Sequence, residues 1–327
     1  MKEVFNWGII GPGRIARKFA EAVWGIKEAS VYAVASRSCT EPDQLVKEFR
    51  AQKHYATYEE LVVDPDVDAI YIATPHRFHY ENAKLCLQAG KPVLCEKSFT
   101  VNAREARELI ELSESKQVFI MEALWSRFLP IYDKVREWID AGEIGDILLV
   151  ESTLGFVADR ALEDRWLNIE LAGGTVLDLS VYNAAVTQWV NQKPPDKIFA
   201  IGKIGETGVD ESVSVLLSYE NGAAAYFTST FQLPTSNELV ITGTKGRVIV
   251  HPFFMDSTKA TLVIGKKTKT VKKPYETNGF EYQVKAVMRA IRAGELDCPQ
   301  MTRADSLANM ETLDEIRRQV GMSYPFE

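Results

Sequence analysis

Residues 4–23 read VFNWGIIGPGRIARKFAEAV, and the fold turns on them. An apolar run ends in glycine, and Ile15, Phe19, Ala22 and Val23 then recur at the spacing of one helix face. Between strand and helix, Gly11-Pro12-Gly13-Arg14-Ile15-Ala16 matches the dinucleotide-binding fingerprint, with alanine in the third glycine's place. Gly11 suits a tight turn, and Gly13 lets the backbone approach a pyrophosphate. The helix opening at Arg14 and Ile15 turns free N–H groups and the positive end of its dipole toward the phosphates. The same pattern also serves a plain strand-to-helix turn, so its weight depends on the elements after it in the chain.

Those elements alternate. SVYAVAS (30–36) reads as strand, EPDQLVKEFRA (41–51) as helix, and residues 54–55 as a short strand. YEELVVDP (58–65) is helical, VDAIYIATP (67–75) a strand, HYENAKLCLQAG (79–90) a helix and PVLCEK (92–97) a strand. AREARELIELSESK (103–116) and VFIMEALW (118–125) give one more helix and strand. Strands alternating with helices of this length predict βαβ units, and so a doubly wound parallel sheet over residues 1–122.

The end of the second strand bears on the cofactor. An NAD site usually places an acid about 20 residues beyond the glycine turn, for the ribose 2′-hydroxyl. Here the strand runs into Ser36-Arg37-Ser38, with no acid before Glu41. Arg37 pairs readily with a 2′-phosphate and Ser36 can donate to it, so the reading is NADP rather than NAD. Ligands of open parallel sheets gather at the carboxyl ends of the strands. Thr74, Pro75, His76 and His79 fall at one such end, Glu96 and Lys97 at the next, and Glu122 to Trp125 at a third. Lys97 is therefore expected at the same edge as the glycine-rich turn.

Over residues 123–327 the pattern changes. A helix (131–142) leads to a strand, DILLVESTLGF (146–156), and LAGGTVLDLSVYNAAVTQWV (171–190) joins a glycine turn to a helix. Short strands then dominate from residue 198 to 265, several linked by turn pairs such as Asn221-Gly222 and Lys245-Gly246. Helices return at 280–294 and 303–320. This predicts an α+β domain with a largely antiparallel open-faced sheet, for substrate binding and oligomerisation. The alternation in AAAYFTST (223–230) makes that face either solvated or a homodimer or higher homo-oligomer interface.

The totals bound the rest. In 327 residues, 46% are hydrophobic and the net charge is −7, which argues against a binder of nucleic-acid backbone. No apolar run reaches the length of a membrane span. The N-terminus enters a strand without signal-peptide architecture, and Cys39, Cys86, Cys95 and Cys298 show no CxxC spacing. A cytoplasmic protein with reduced thiols is expected, and no metal-ligand spacing is visible.

GIIGPGRIA (8–16), ATPHRFH (73–79), AGKPVLCEK (89–97), EALWSRFLP (122–130), GGTVLDLSVY (173–182) and FEYQVKAVMRAIRAGE (280–295) occur together in this order. The chain thereby resembles the Gfo/Idh/MocA family, that of glucose–fructose oxidoreductase and inositol dehydrogenase. It is most similar to the branch of dimeric dihydrodiol dehydrogenases and NADP-linked aldose dehydrogenases. The resemblance implies a Rossmann domain, a C-terminal domain on an open sheet, and hydride transfer with NAD(P). It also implies a catalytic lysine at Lys97. Its second motif, an aspartate with a histidine four residues later, stands here as Asp178 and Tyr182. Tyrosine replaces the histidine, as in the dihydrodiol dehydrogenase branch, and Ser180 replaces a common glycine. Many relatives have proline after the lysine, often behind a cis bond, whereas residue 98 is serine. A cis bond there costs ~2.5–4 kcal/mol, so the path is either trans or held against that cost.

Oxidising a secondary alcohol needs a proton acceptor while hydride leaves. A phenol ionises near pH 10 when unperturbed, and a neighbouring ammonium lowers that value. Tyr182 as acid/base with Lys97 as electrostatic partner is a workable pair, acting on a sugar, polyol or cyclic trans-diol. Asp178 either orients Lys97 and substrate or merely caps its helix. His76 and His79 bond substrate or cofactor, or are structural. Trp125, Phe128, Phe156 and Trp166 offer an aromatic wall, with Asn183, Arg127 and Arg165 as polar candidates. The competing class is a regulator that binds NADP without turnover.

Overall fold

The computed structural model describes residues 4–38, 40–158 and 165–327, so Cys39 lies outside the described residues. The first strand and helix, β1 (Phe5–Ile10) and α1 (Arg14–Trp24), are followed by β2 (Ala29–Ala35), α2 (Pro42–Phe49), β3 (Lys53–Tyr55) and α3 (Tyr58–Val62). Next come β4 (Ala69–Ile72), α4 (His79–Gln88), β5 (Val93–Glu96), α5 (Ala103–Lys116) and β6 (Ile120–Ala123). The six strands pair in parallel in the order β3-β2-β1-β4-β5-β6, the doubly wound arrangement of dinucleotide-binding domains. Local signals start the helices. Thr57 and Glu60 form a reciprocal capping box on α3, and the Asn102 side chain accepts from the Glu105 N–H at the start of α5. The core is aromatic on one side of β1, where Phe19 stacks on Tyr71 at 3.8 Å and Trp7 meets Phe19 edge-on at 5.1 Å.

The second half contains α6 (Pro130–Asp140), β7 (Ile147–Gly155) and a π-helical turn, Val176–Ser180, that runs directly into α7 (Val181–Asn191). Seven strands come after it, β8 (Lys197–Ile204), β9 (Asp210–Ser218), β10 (Ala224–Thr230), β11 (Leu239–Gly243), β12 (Arg247–Val250), β13 (Lys259–Ile264) and β14 (Lys267–Lys272). They join β7 in an eight-stranded sheet of order β14-β13-β12-β11-β7-β10-β9-β8. Every pairing is antiparallel except β7 with β10. On β9 and β10 the alternation is clean, with Val213, Val215, Leu217, Ala225 and Phe227 buried and Leu216 and Tyr226 outward. The π-helical turn and α7, buried on almost every side, pack against β7 and β10.

The chain ends in α8 (Phe280–Ala293) and α9 (Arg303–Val320). By contacts it divides into two compact units, Met1–Trp125 with Glu276–Ser306, and Ser126–Tyr275 with Leu307–Glu327. The first unit takes in α8, which packs on α1. Cys86, Cys95 and Cys298 are free and buried. Among the described residues no helix is long and apolar enough to cross a membrane.

Candidate active site

In the first unit the parallel register brings the expected residues to one edge. Ile10 pairs with Ala35 and Ile72, Ile72 with Cys95, and Glu96 with Ala123, so Gly11, Ser36, Thr74 and Lys97 follow strand ends in one row. Gly11 has φ +81°, and a Cβ there would lie 2.8 Å from the Thr74 methyl, so only glycine fits the turn. A Cβ on Gly13 would meet nothing, and α1 begins without a side-chain cap or an acid in its first turn. A helix start without a side-chain cap, beside open space, suits a dinucleotide's pyrophosphate. Arg14 is exposed and Ile15 half-buried at that helix start. The exposed Arg37 guanidinium lies 4.8 Å from the Tyr58 ring centroid and 5.9 Å from that of Phe78. A stacked cation with no acid at this strand end fits a cofactor with a 2′-phosphate.

Lys97 stands in a loop clamped from several sides. The Lys97–Ser98 peptide bond is cis. The His76 Nε2 lies 3.2 Å from the Lys97 carbonyl oxygen, and the His79 Nδ1 lies 2.8 Å from that of Ser98. The Phe99 N–H donates to the buried Glu122 carboxylate at 3.1 Å, and the Tyr71 hydroxyl donates to Glu96. Thr74 is drawn into the same assembly, its carbonyl 2.8 Å from His79 Nε2 and its hydroxyl accepting from Asn82 at 3.1 Å. Pro75 precedes the short 3₁₀ turn His76–Phe78.

Of the two readings open for His79, its surroundings favour the structural one. It has no exposed surface, and both ring nitrogens face backbone carbonyls. It joins the Thr74 and Lys97 loops instead of meeting a ligand. Burial first, with the Lys97 charge adding to it, pushes its pKa down from 6.5 to about 4. The unfolded chain therefore takes up a proton near pH 6.5 that the folded chain refuses until about pH 4. The folded pKa is depressed for a base, so stability present at neutral pH is lost as pH falls through that window. The loss amounts to about 3 kcal/mol. His79→Asn is expected to remove this acid-labile part, read as a flatter dependence of Tm on pH between 6.5 and 4. Parallel Tm curves for both proteins would refute it.

In the second unit the π-helical turn and α7 carry the other motif. Asp178 is buried, and the Arg165 guanidinium donates to its Oδ1 at 3.1 Å. Tyr182 stands one turn later, with 9% of its surface exposed. The Val176 N–H at the start of the π-helical turn donates to Asp210. Phe156 and Trp166 do meet, at 5.1 Å, and Phe231 completes a three-ring cluster with them. Nothing in the sequence around Phe231 distinguishes it from a core strand residue.

Three further pocket candidates have these surroundings. Asn183 is fully buried and donates to the Ser229 hydroxyl at 3.0 Å, as Ser180 does at 2.8 Å, so it faces β10. Arg127 is buried, not solvated, and donates to the Ala185 carbonyl at 3.1 Å in the second unit, with the buried Phe128 beside it in sequence. Trp125 belongs to the first unit, edge-on to Phe280 at 4.9 Å with the Lys18 ammonium 4.0 Å from its ring centroid.

Residues 5–124 match the oxidoreductase family with an NAD-binding Rossmann fold, and residues 132–249 match the GFO/IDH/MocA C-terminal domain. The chain belongs to the Gfo/Idh/MocA family of NAD(P)-linked oxidoreductases. The trans-1,2-dihydrobenzene-1,2-diol dehydrogenase of Xenopus laevis is 36% identical to it over 334 residues, covering 98% of this chain and 99% of that protein. Among solved structures, the aldose–aldose oxidoreductase of Caulobacter crescentus has a TM-score of 0.89 at 20% identity, covering 97% of this chain and 98% of that one. A 3-ketoreductase from Actinomadura kijaniata, in complex with NADP and TDP-benzene, has a TM-score of 0.88 at 22% identity, with the same coverage.

Proposed function

We propose that this protein is an NADP-dependent dehydrogenase acting on a secondary alcohol of a cyclic trans-diol, an aldose or a polyol. The observation that carries the reading is end-to-end likeness to dihydrodiol dehydrogenases in a chain that keeps both Lys97 and Tyr182. A nicotinamide cofactor, held at the turn from Gly11 to Ile15, would supply the hydride acceptor or donor for the substrate carbon. Tyr182 takes the hydroxyl proton in oxidation and returns it in reduction. Lys97 is its electrostatic partner, an ammonium that favours the phenolate. Asp178 orients these groups, itself held by Arg165. Phe156, Trp166 and Phe231 offer flat apolar faces to a ring-shaped substrate.

NADPH formation, monitored by near-UV absorbance against trans-diols, aldoses and polyols with NADP and NAD in parallel, tests the reading. Turnover with NADP and one compound class is expected. Tight NADP binding without turnover on any of them would make the protein a regulator instead.

The second unit's sheet supports a homodimer. Ile201, Phe199, Leu216 and Tyr226 are 76%, 56%, 47% and 43% exposed, and the last three form one row across β8, β9 and β10. Apolar rows of this kind usually meet a partner. Ile201→Lys with Leu216→Glu is expected to convert a dimer to monomer by light scattering, with Tm falling as the face is uncovered. A monomeric native protein would overturn this.

A further inference from the structure

We propose that Asp210 is a positioning residue for Asp178 and Tyr182, a buried carboxylate on a distant strand that caps the helix on which both stand. The inference rests on Tyr182 being the acid/base of the proposed reaction.

A helix leaves its first N–H groups without internal partners, and a side chain at its start usually takes them. The π-helical turn Val176–Ser180 has no such cap from Thr175, the residue that precedes it. The cap comes from β9. Asp210 Oδ2 accepts from the Val176 N–H at 2.7 Å and from the Thr175 hydroxyl at 2.6 Å. Asp210 has no exposed surface, so water does not substitute for it. Gly174, at φ +115°, is shaped to the same contact, because a Cβ there would lie 2.3 Å from Asp210 Oδ1.

The junction above Asp210 governs more than the helix. The Gly174 N–H donates to the Trp166 carbonyl at 2.9 Å, and the Asp178 N–H donates to the Gly174 carbonyl at 3.2 Å. The Tyr324 hydroxyl donates to the Gly173 carbonyl at 2.6 Å. One glycine pair thus ties the segment bearing Arg165 to the turn bearing Asp178, and Arg165 bonds Asp178 directly. Moving the carboxylate moves both sides of that ion pair and the start of α7.

Burial raises the Asp210 carboxyl to about 6, against the pull of its two hydrogen bonds and of Arg317. The charged groups felt around it are Arg317 of α9, bound to Glu327 and Asp314, with Tyr324 from the C-terminal segment. Asp178 acts on Tyr324 from the helix side. Asp210 is thus ionised at neutral pH, when the negative charge complements the helix start, and neutral in mild acid.

The test uses the full chain with NADP and its best substrate. Asp210→Ala is expected to lower kcat by about 10–100-fold at neutral pH, as the loss of a buried charged cap would. Amide exchange across Val176–Ser180 should quicken in the same variant. Asp210→Asn keeps an acceptor oxygen, so it is expected to retain more of kcat than Asp210→Ala and to remove from the acid limb the part expected from protonation of this carboxyl near pH 6. If Asp210→Ala does not fold, the Asp210→Asn pH profile decides alone. A profile coincident with the native one overturns the inference, as do native kcat and exchange in Asp210→Ala. An inactive Tyr182→Phe enzyme beside unaffected Asp210 variants overturns this inference only. An active Tyr182→Phe enzyme overturns the reading of Tyr182 and this inference with it.

Discussion

Tyr182→Phe is expected to lower kcat by roughly 10²–10⁴-fold, the range that a positioned acid/base group contributes. The substitution removes one oxygen and keeps the ring, so the packing of a residue only 9% exposed is preserved. NADP affinity should stay within about twofold, because the phenol serves the substrate's proton and not the cofactor. Lys97→Ala should be comparably slow where the phenol must ionise, and should move the limb of the kcat profile that reports this ionisation to higher pH. The two losses should not add in the double variant, since groups acting as a unit are lost together. Stopped turnover in both variants with cofactor binding intact would distinguish an enzyme from an NADP-binding regulator. Full turnover in Tyr182→Phe would remove the phenol from the mechanism.

The strand ends explain why part of this site was legible in the sequence. Gly11, Thr74 and Lys97 each come after a short apolar run bounded by turn residues, and parallel pairing then puts such ends in one row. Asp178 and Tyr182 stood out through the family resemblance, since their spacing alone suits a packed ring and a helix cap as well. The features that escaped are held by partners distant in sequence. The cap of the Tyr182 helix comes from Asp210, 34 residues after Val176, and nothing local distinguishes that acid from any other at the start of a strand. Asn183 lies next to Tyr182 in sequence but points at β10, because neighbours on a helix face different ways. His79, either a ligand residue or a structural one by its place at a strand end, has its ring buried between the Thr74 and Ser98 carbonyls. The return of α8 to the first unit was hidden for a related reason. Its apolar face shows that it packs, but not against which sheet.

Arg37→Ala is expected to raise the Kd for NADP by about 10–100-fold, since a charge-assisted hydrogen bond contributes roughly 1.5–3 kcal/mol. The Kd for NAD should stay within about threefold, because NAD lacks the 2′-phosphate that the guanidinium would meet. Quenching of tryptophan fluorescence during cofactor titration reads both constants without requiring turnover. The stacking around Arg37 sharpens the expectation. Its guanidinium carbon lies 4.8 Å from the Tyr58 ring centroid and 5.9 Å from that of Phe78, contacts that favour holding the cation there before the cofactor arrives. Arg37→Lys keeps the charge but loses the planar fork and most of the stacking, so it should recover only part of the affinity. Tyr58→Leu should weaken NADP binding by a smaller factor, about two- to fivefold, by removing the platform and leaving the charge. A native preference for NAD, or an Arg37→Ala variant that binds NADP as the native protein does, would mean that the absence of an acid after β2 had been misread as a phosphate site. The order Arg37→Ala weakest, then Arg37→Lys, then Tyr58→Leu would instead show that specificity rests on a charge whose orientation the neighbouring ring supplies.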